Sequence, residues 1–264
     1  MKKALAAALV ITALFLSCAA AEESFTETFV YGKSALGRDL ECVRVGSPDA
    51  EKRFLLVFCV HGYEDVFIRD GALLTEIAGA LIDMLSSDPA ALQNSAVYIV
   101  PCANPDGLLE GTSNAGFGRC NAEGLDINRD FPEGWVRRSS GASRTGDAPF
   151  STPEARALRD LVLALSPDYA ADVHGYVNAV KYSSRGDMAR YFASKDVMNM
   201  KSEKWRTGGM LCAWLDTVTN GALLIELPTP IKGGNVNVLK EGYAADMAAR
   251  LFRGVTGWLG ETGN

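Results

Sequence analysis

His61 and Glu64 stand three positions apart in His61-Gly62-Tyr63-Glu64, directly after the apolar run Phe54-Leu55-Leu56-Val57-Phe58-Cys59-Val60. An imidazole and a carboxylate leaving one strand end together can bind a transition metal. The chain has two histidines, and the second, His174, also closes an apolar stretch, Tyr169-Ala170-Ala171-Asp172-Val173-His174. Two histidines and one glutamate leave a tetrahedral zinc ion one position for water or substrate, the donor set of a catalytic site. Either histidine alone could be a satisfied core side chain. Both at strand ends, with Glu64, point to one Zn2+ per chain. A fourth group, Glu226, follows the apolar run Ala222-Leu223-Leu224-Ile225. It could merely cap a sheet edge, but beside a metal an acid there can move a proton.

The elements that carry these groups follow from patterning. Residues 54–60 read as a buried strand of a parallel sheet, and ligands of open α/β sheets gather at the carboxyl ends of strands. Upstream, residues 29–32 and 40–46 could be strands around a polar turn at 34–39. Leu73, Leu74, Ile77, Leu81, Ile82 and Leu85 recur at three- and four-residue spacing, which predicts a helix over 70–85. Residues 96–100 are the next strand, and strand, helix, strand makes a right-handed crossover. Residues 101–150 are rich in Gly, Asn, Asp and Arg with little periodicity, a loop long enough to imply function. Ser151 and Glu154 have capping-box spacing with Pro153 between them, so a helix runs from there to about 165, and the cap accounts for Glu154. A polar excursion over 176–209 precedes the strand that ends at Glu226, and a closing helix is expected over 237–259. The fold class is α/β, with a mixed, largely parallel central sheet, helices on both faces, and the zinc site at the carboxyl ends of the strands.

With 264 residues and 48% hydrophobic content, the chain can bury the core of one large domain. Its net charge is −6, and Lys and Arg form no stripe, which argues against nucleic-acid binding. Met1-Lys2-Lys3, an apolar run over 4–16 and the small residues Ser17-Cys18-Ala19-Ala20-Ala21 read as a secretion signal, too short to span a membrane comfortably. Cleavage after Ala21 gives a signal peptide of 1–21 and a domain of 22–264. Cleavage before Cys18, within the lipobox-like Leu14-Phe15-Leu16-Ser17-Cys18, gives a lipid anchor. Either reading places the chain in a bacterial periplasm or cell envelope, with Cys18 its sole membrane attachment, and as a monomer. Six cysteines show no zinc-cysteine spacing and predict no disulfide framework; Cys59 in a buried strand is a small apolar residue.

Five motifs in one order carry a resemblance. They are His61-Gly62-Tyr63-Glu64, Asn104-Pro105-Asp106-Gly107, the stretch from Gly118-Arg119-Cys120-Asn121 to Asp126-Ile127-Asn128-Arg129-Asp130-Phe131-Pro132, His174, and Leu224-Ile225-Glu226-Leu227-Pro228. Over 54–228 the chain resembles zinc metallocarboxypeptidases of the carboxypeptidase A superfamily. It is more similar to compact bacterial members, of the murein-peptide amidase kind, than to digestive enzymes. The resemblance implies His61, Glu64 and His174 as zinc ligands and Glu226 as general base. It implies Arg119 as the cation that stabilises the oxyanion. Asn128 and Arg129 match the pair that grips the substrate's terminal carboxylate, for which a guanidinium fork is suited. Asp126 would orient His61, since ligating histidines donate their other N–H, although it could be a turn residue. Asp172 could support the region of His174 and is left outside the site.

The implied activity is Glu-assisted hydrolysis of a peptide or isopeptide bond next to a free carboxylate, with peptide or muropeptide substrates such as peptidoglycan stem peptides. A zinc deacylase of N-acyl amino acids, of the aspartoacylase and succinylglutamate desuccinylase type, is the alternative. It shares H-x-x-E and a D-x-N-R element, but Asn104-Pro105-Asp106-Gly107 and Glu226-Leu227-Pro228 favour the peptidase. A catalytically silent peptide-binding protein would not need Glu226. The digestive enzymes carry a substrate-contacting tyrosine before the catalytic glutamate. Here no tyrosine lies between Tyr191 and Tyr243, and Trp205 occupies the matching loop. The stretch Gly208-Gly209-Met210-Leu211-Cys212-Ala213-Trp214 resembles the wall of the side-chain pocket and carries no charge, which leaves side-chain preference open.

Overall fold

Strands that are apolar at every position need cover on both faces, and that requirement organises this chain. The computed structural model describes residues 25–64, 66–205 and 208–262. The signal segment expected over 1–21, with Cys18, lies outside the described residues. In chain order the elements are β1 (Thr26–Lys33), β2 (Asp39–Gly46), β3 (Lys52–Phe58), α1 (Gly71–Ser87), β4 (Ser95–Val100), α2 (Pro105–Glu110), β5 (Ser113–Cys120), α3 (Pro153–Leu165), β6 (Tyr169–Gly175), β7 (Ala179–Tyr182), α4 (Gly186–Ala193), β8 (Lys201–Lys204), α5 (Leu211–Val218), β9 (Ala222–Leu227), β10 (Ile231–Lys232), β11 (Asn235–Leu239) and α6 (Tyr243–Glu261).

Eight strands form one mixed sheet in the order β1-β2-β4-β3-β6-β9-β7-β8. The central strands β4, β3, β6 and β9 are parallel, as expected for the apolar runs. On one side β1 and β2 add antiparallel, and on the other β7 runs antiparallel to β9. Side chains alternate between two cores. Phe54, Leu56 and Phe58 pack under α1, α4 and α6 with Leu74, Ile77, Phe192 and Leu251. Leu55 and Val57 face the opposite way, toward Leu158 and Val162 of α3 and Leu211 and Trp214 of α5. Helices therefore cover both faces of the sheet.

Three expectations are corrected. The stretch 101–150 is not a bare loop. It holds α2, β5 and a short 3-10 turn at Ile127–Arg129, elements too short to show periodicity. The cap of α3 is Thr152, whose hydroxyl accepts from the Ala155 N–H at 3.2 Å. Glu154 is buried and accepts instead from the Ala35 N–H at 2.8 Å and from Asn121 Nδ2 at 3.0 Å. It is a tie between the β1–β2 turn and the loop after β5, not a cap. Finally, α6 begins at Tyr243 rather than 237. Gly233 and Gly234 both have positive φ, the condition for a two-residue hairpin turn, and the following Val236 and Val238 belong to β11.

Candidate metal centre and active site

The local fold explains why His61 and Glu64 point inward. Pairing of β3 with the neighbouring chain continues past the strand end, with the Ala103 N–H donating to the Phe58 carbonyl and the Asn104 N–H to the Cys59 carbonyl, each at 3.0 Å. Cys59 then takes φ 52° and turns the chain. A Cβ at Gly62 would sit 2.3 Å from the Leu108 backbone nitrogen, so only glycine fits where the ligand loop crosses α2. Asp70, fully buried before α1, accepts from the N–H groups of Glu64 at 2.5 Å, Val66 at 2.9 Å and Phe67 at 3.3 Å. One carboxylate thus fixes the loop that carries Glu64. No periodic or motif signal marked Asp70 in the sequence.

The side chains of His61, Glu64 and His174 are buried, and their donor atoms lie within 4.8 Å of one another, a group that could hold a metal ion. Nδ1 of His174 is 2.9 Å from Glu64 Oε1, and Nδ1 of His61 is 3.3 Å from Glu64 Oε2. The opposite ring nitrogens face aspartates. His61 Nε2 is 3.0 Å from Asp126 Oδ1, and His174 Nε2 is 2.8 Å from Asp172 Oδ1. The donor chemistry, two imidazoles and a carboxylate with each imidazole backed by an acid, fits zinc. Asp126 also accepts from the Asn128 N–H at 2.9 Å, so it shapes the turn and backs His61 together. Asp172, left out of the site on sequence, backs His174; its place is visible only once β6 alternation turns Asp172 and His174 to one face.

Charge in this cluster is mutually supported. Burial works to raise the Glu64 carboxyl, but His174 and His61 outweigh it and hold it well below the usual carboxylate range. Burial opposes charge on His174, yet Asp172 and Glu64 push it well above an ordinary histidine. Asp126 is held below its usual value, because His61 and the nearby arginines overcome its burial.

Glu226 on β9 is the register partner of His174 on β6, which sets the two side by side at the strand ends. Burial raises the Glu226 carboxyl above its ordinary value; Glu64 adds to this, while His174 and Lys181 oppose it. A cavity of about 60 Å³ is lined by His61, Glu64, His174, Glu226, Arg119, Asn128 and Arg129, together with Gly175, Met210 and Leu224. The structure therefore brings every ligand, base and substrate candidate to one cavity, with Asp126 behind it. A second cavity of about 310 Å³ adjoins it, sharing Glu64 and lined also by Tyr63, Phe67, Thr112 and Asn114.

The remaining candidates differ in their freedom. Arg119 Nε lies 3.9 Å from Asp126 Oδ2. Its loop is fixed by Asn104, whose Nδ2 donates to the carbonyls of Arg119 at 3.2 Å and Cys120 at 3.1 Å. That gives the Asn104-Pro105-Asp106-Gly107 motif a physical role. Arg129 donates through Nη1 to the Asn128 carbonyl at 2.5 Å. The Asn128 amide is turned to protein groups: Nδ2 donates to Asp172 Oδ2 at 3.2 Å and lies 3.0 Å from His174 Nε2, while Oδ1 accepts from the Leu211 N–H at 2.8 Å. Trp205 follows β8, where its N–H donates to the Tyr182 carbonyl. The five cysteines among the described residues are free thiols. Among those residues no helix is long and apolar enough to cross a membrane.

Comparison with known proteins gives the same picture. Residues 11–206, most of the chain, match the family described as zinc carboxypeptidase. The chain is 31% identical over 243 residues to Bacteriocin BCN5 of Clostridium perfringens, which covers 90% of this chain and 26% of that protein. It is 27% identical over 168 residues to murein peptide amidase A of Escherichia coli strain K12, covering 58% of this chain and 65% of that protein. It thus spans about a quarter of the first relative and just under two thirds of the second. The crystal structure of carboxypeptidase A from Helicoverpa armigera superposes with a TM-score of 0.72 at 17% identity, covering 90% of this chain and 69% of that one. That likeness is one of fold.

Proposed function

The chain belongs to the zinc carboxypeptidase family, and from that premise we propose that it is an exported exopeptidase that hydrolyses a peptide or isopeptide bond beside a free carboxylate. The observation that carries the reading is the meeting of His61, Glu64, His174, Glu226, Arg119 and Arg129 in one cavity. His61, Glu64 and His174 would hold the zinc, which would supply Lewis acidity toward a water and a carbonyl at this end of the sheet. Glu226, as a carboxylate, takes a proton from the attacking water and returns it to the leaving nitrogen as the C–N bond breaks. Arg119 offers a fixed cation for the charge that develops on the carbonyl oxygen. Arg129, braced beside Asn128, receives the substrate's terminal carboxylate. Asp126 and Asp172, which face Nε2 of His61 and His174, would hold the two imidazoles with Nδ1 turned toward Glu64 and the metal position.

Relatives include a murein peptide amidase, which supports peptidoglycan stem peptides as the substrate class. The basic, apolar and small-residue order of residues 1–21 supports export. The test is product mass spectrometry of zinc-loaded mature protein on muropeptides, peptides with free C-termini and N-acyl amino acids. Cleavage between D-glutamate and diaminopimelate supports the murein reading, and loss of single C-terminal residues supports a general carboxypeptidase. Deacylation alone would replace the proposal with an N-acyl amino acid hydrolase.

A further inference from the structure

The stretch 208–214, which contributes Met210 to the cavity, carries no charge and leaves the choice of departing side chain to other elements. β7 supplies one. It runs antiparallel to β9, with Lys181 opposite Leu224 and Ala179 opposite Glu226. Val180 between them points into the core on the other face of the sheet. Lys181 therefore shares its face with Leu224 and Glu226, both of which line the catalytic cavity. Its Nζ lies 3.9 Å from Glu226 Oε1, an ion-pair distance beyond hydrogen-bond length. Among the described residues the Lys181 ammonium makes no hydrogen bond, so its three N–H donors remain for an incoming acceptor. The side chain is 22% exposed, so the charge is partly desolvated yet still open to solvent, next to the Glu226 carboxylate that lines the cavity.

We propose that Lys181 determines specificity by receiving a second carboxylate, carried on the side chain of the departing residue, while Arg129 holds its terminal carboxylate. The inference rests on the exopeptidase reading above. Arg129 in the cavity and Lys181 beside its Glu226 wall are separate cations that suit a dicarboxylic leaving residue, a chemistry shared by glutamate, aspartate and diaminopimelate. A neutral side chain would leave the ammonium partly desolvated with no acceptor, which disfavours it.

The test measures kcat and KM of the zinc-loaded chain on matched substrates ending in glutamate, glutamine, diaminopimelate and lysine. The wild type should favour the dicarboxylic residues over glutamine by roughly tenfold or more in kcat/KM, the size of one charged hydrogen bond. Lys181→Met should bring that ratio close to one, chiefly through KM, and Lys181→Arg should keep the preference. Free glutamate should inhibit the wild type better than free glutamine, and this difference should vanish in Lys181→Met. Preference for diaminopimelate alone also supports the proposal and places the second carboxylate at the end of a longer side chain. Equal rates on glutamate and glutamine, or a Lys181→Met variant slowed equally on every substrate, would overturn it and leave the exopeptidase reading intact. Release of no residue from any peptide would overturn both.

Discussion

Glu226→Gln keeps the shape of the side chain and removes its ability to accept a proton. Turnover should fall by roughly 10²–10⁴-fold, with stoichiometric zinc retained as measured by metal analysis. Because burial raises the Glu226 carboxyl, the acid limb of the kcat/KM profile should lie above the ordinary glutamate range. Activity is present while Glu226 is ionised and is lost as pH falls through that raised value. A profile still flat at pH 4.5 would contradict the assignment. Asp126→Asn and Asp172→Asn each replace the carboxylate behind one ligand ring with a neutral amide. Each should weaken zinc binding about 10–100-fold in competition with a chromophoric chelator, with the fold intact by circular dichroism. At this scale the ligands and Glu226 were legible, because His61, His174 and Glu226 each close an apolar run and Glu64 follows three positions after His61. Asp70 and Lys181 were not, and Asp172 only as a support, since their places depend on a loop and on strand register that the sequence does not display.

At the scale of elements, the site depends on how loops are held at the strand ends. Asp70→Ala would strip three backbone N–H groups of their acceptor in a partly buried loop. The cost is on the order of 1–3 kcal/mol for each donor left unpaired, less what the loop recovers from water. A lowered urea midpoint with an unchanged slope should accompany weakened zinc binding. Unchanged stability would mean that the loop is held by other contacts. The sequence made the central strands readable as continuous apolar runs and α1 through period-3.6 patterning, and β3, β4, β6, β9 and α1 appear where those signals place them. It did not reveal α2 or β5, whose positions are set by contacts such as Asn104 to the Arg119 and Cys120 carbonyls. The start of α6 was misread for a similar reason. Residues 237–239 fall within the expected helix, but Asn235-Val236-Asn237-Val238-Leu239 alternates polar and apolar after the Gly233-Gly234 turn and forms the return strand of a hairpin.

For the whole molecule, the metal joins distant parts of the chain, since His61 and Glu64 leave β3 while His174 ends β6. Removing zinc with a chelator should abolish turnover and lower the melting temperature, and added zinc should restore both. At a free zinc concentration a thousandfold above Kd the expected stabilisation is about 4 kcal/mol. A melting curve that ignores both chelator and zinc would argue against the site. The order of strands in the sheet carries a further consequence, one of timing. β9 follows β6, β7 and β8 in the chain, yet it lies between β6 and β7. Strands β7 and β8 cannot join the sheet until β9 has been inserted beside β6. Glu226 is delivered by that same insertion. The metal donors leave β3 and β6, whereas the proton acceptor comes with β9, so the ligands without β9 in place between β6 and β7 would lack their base.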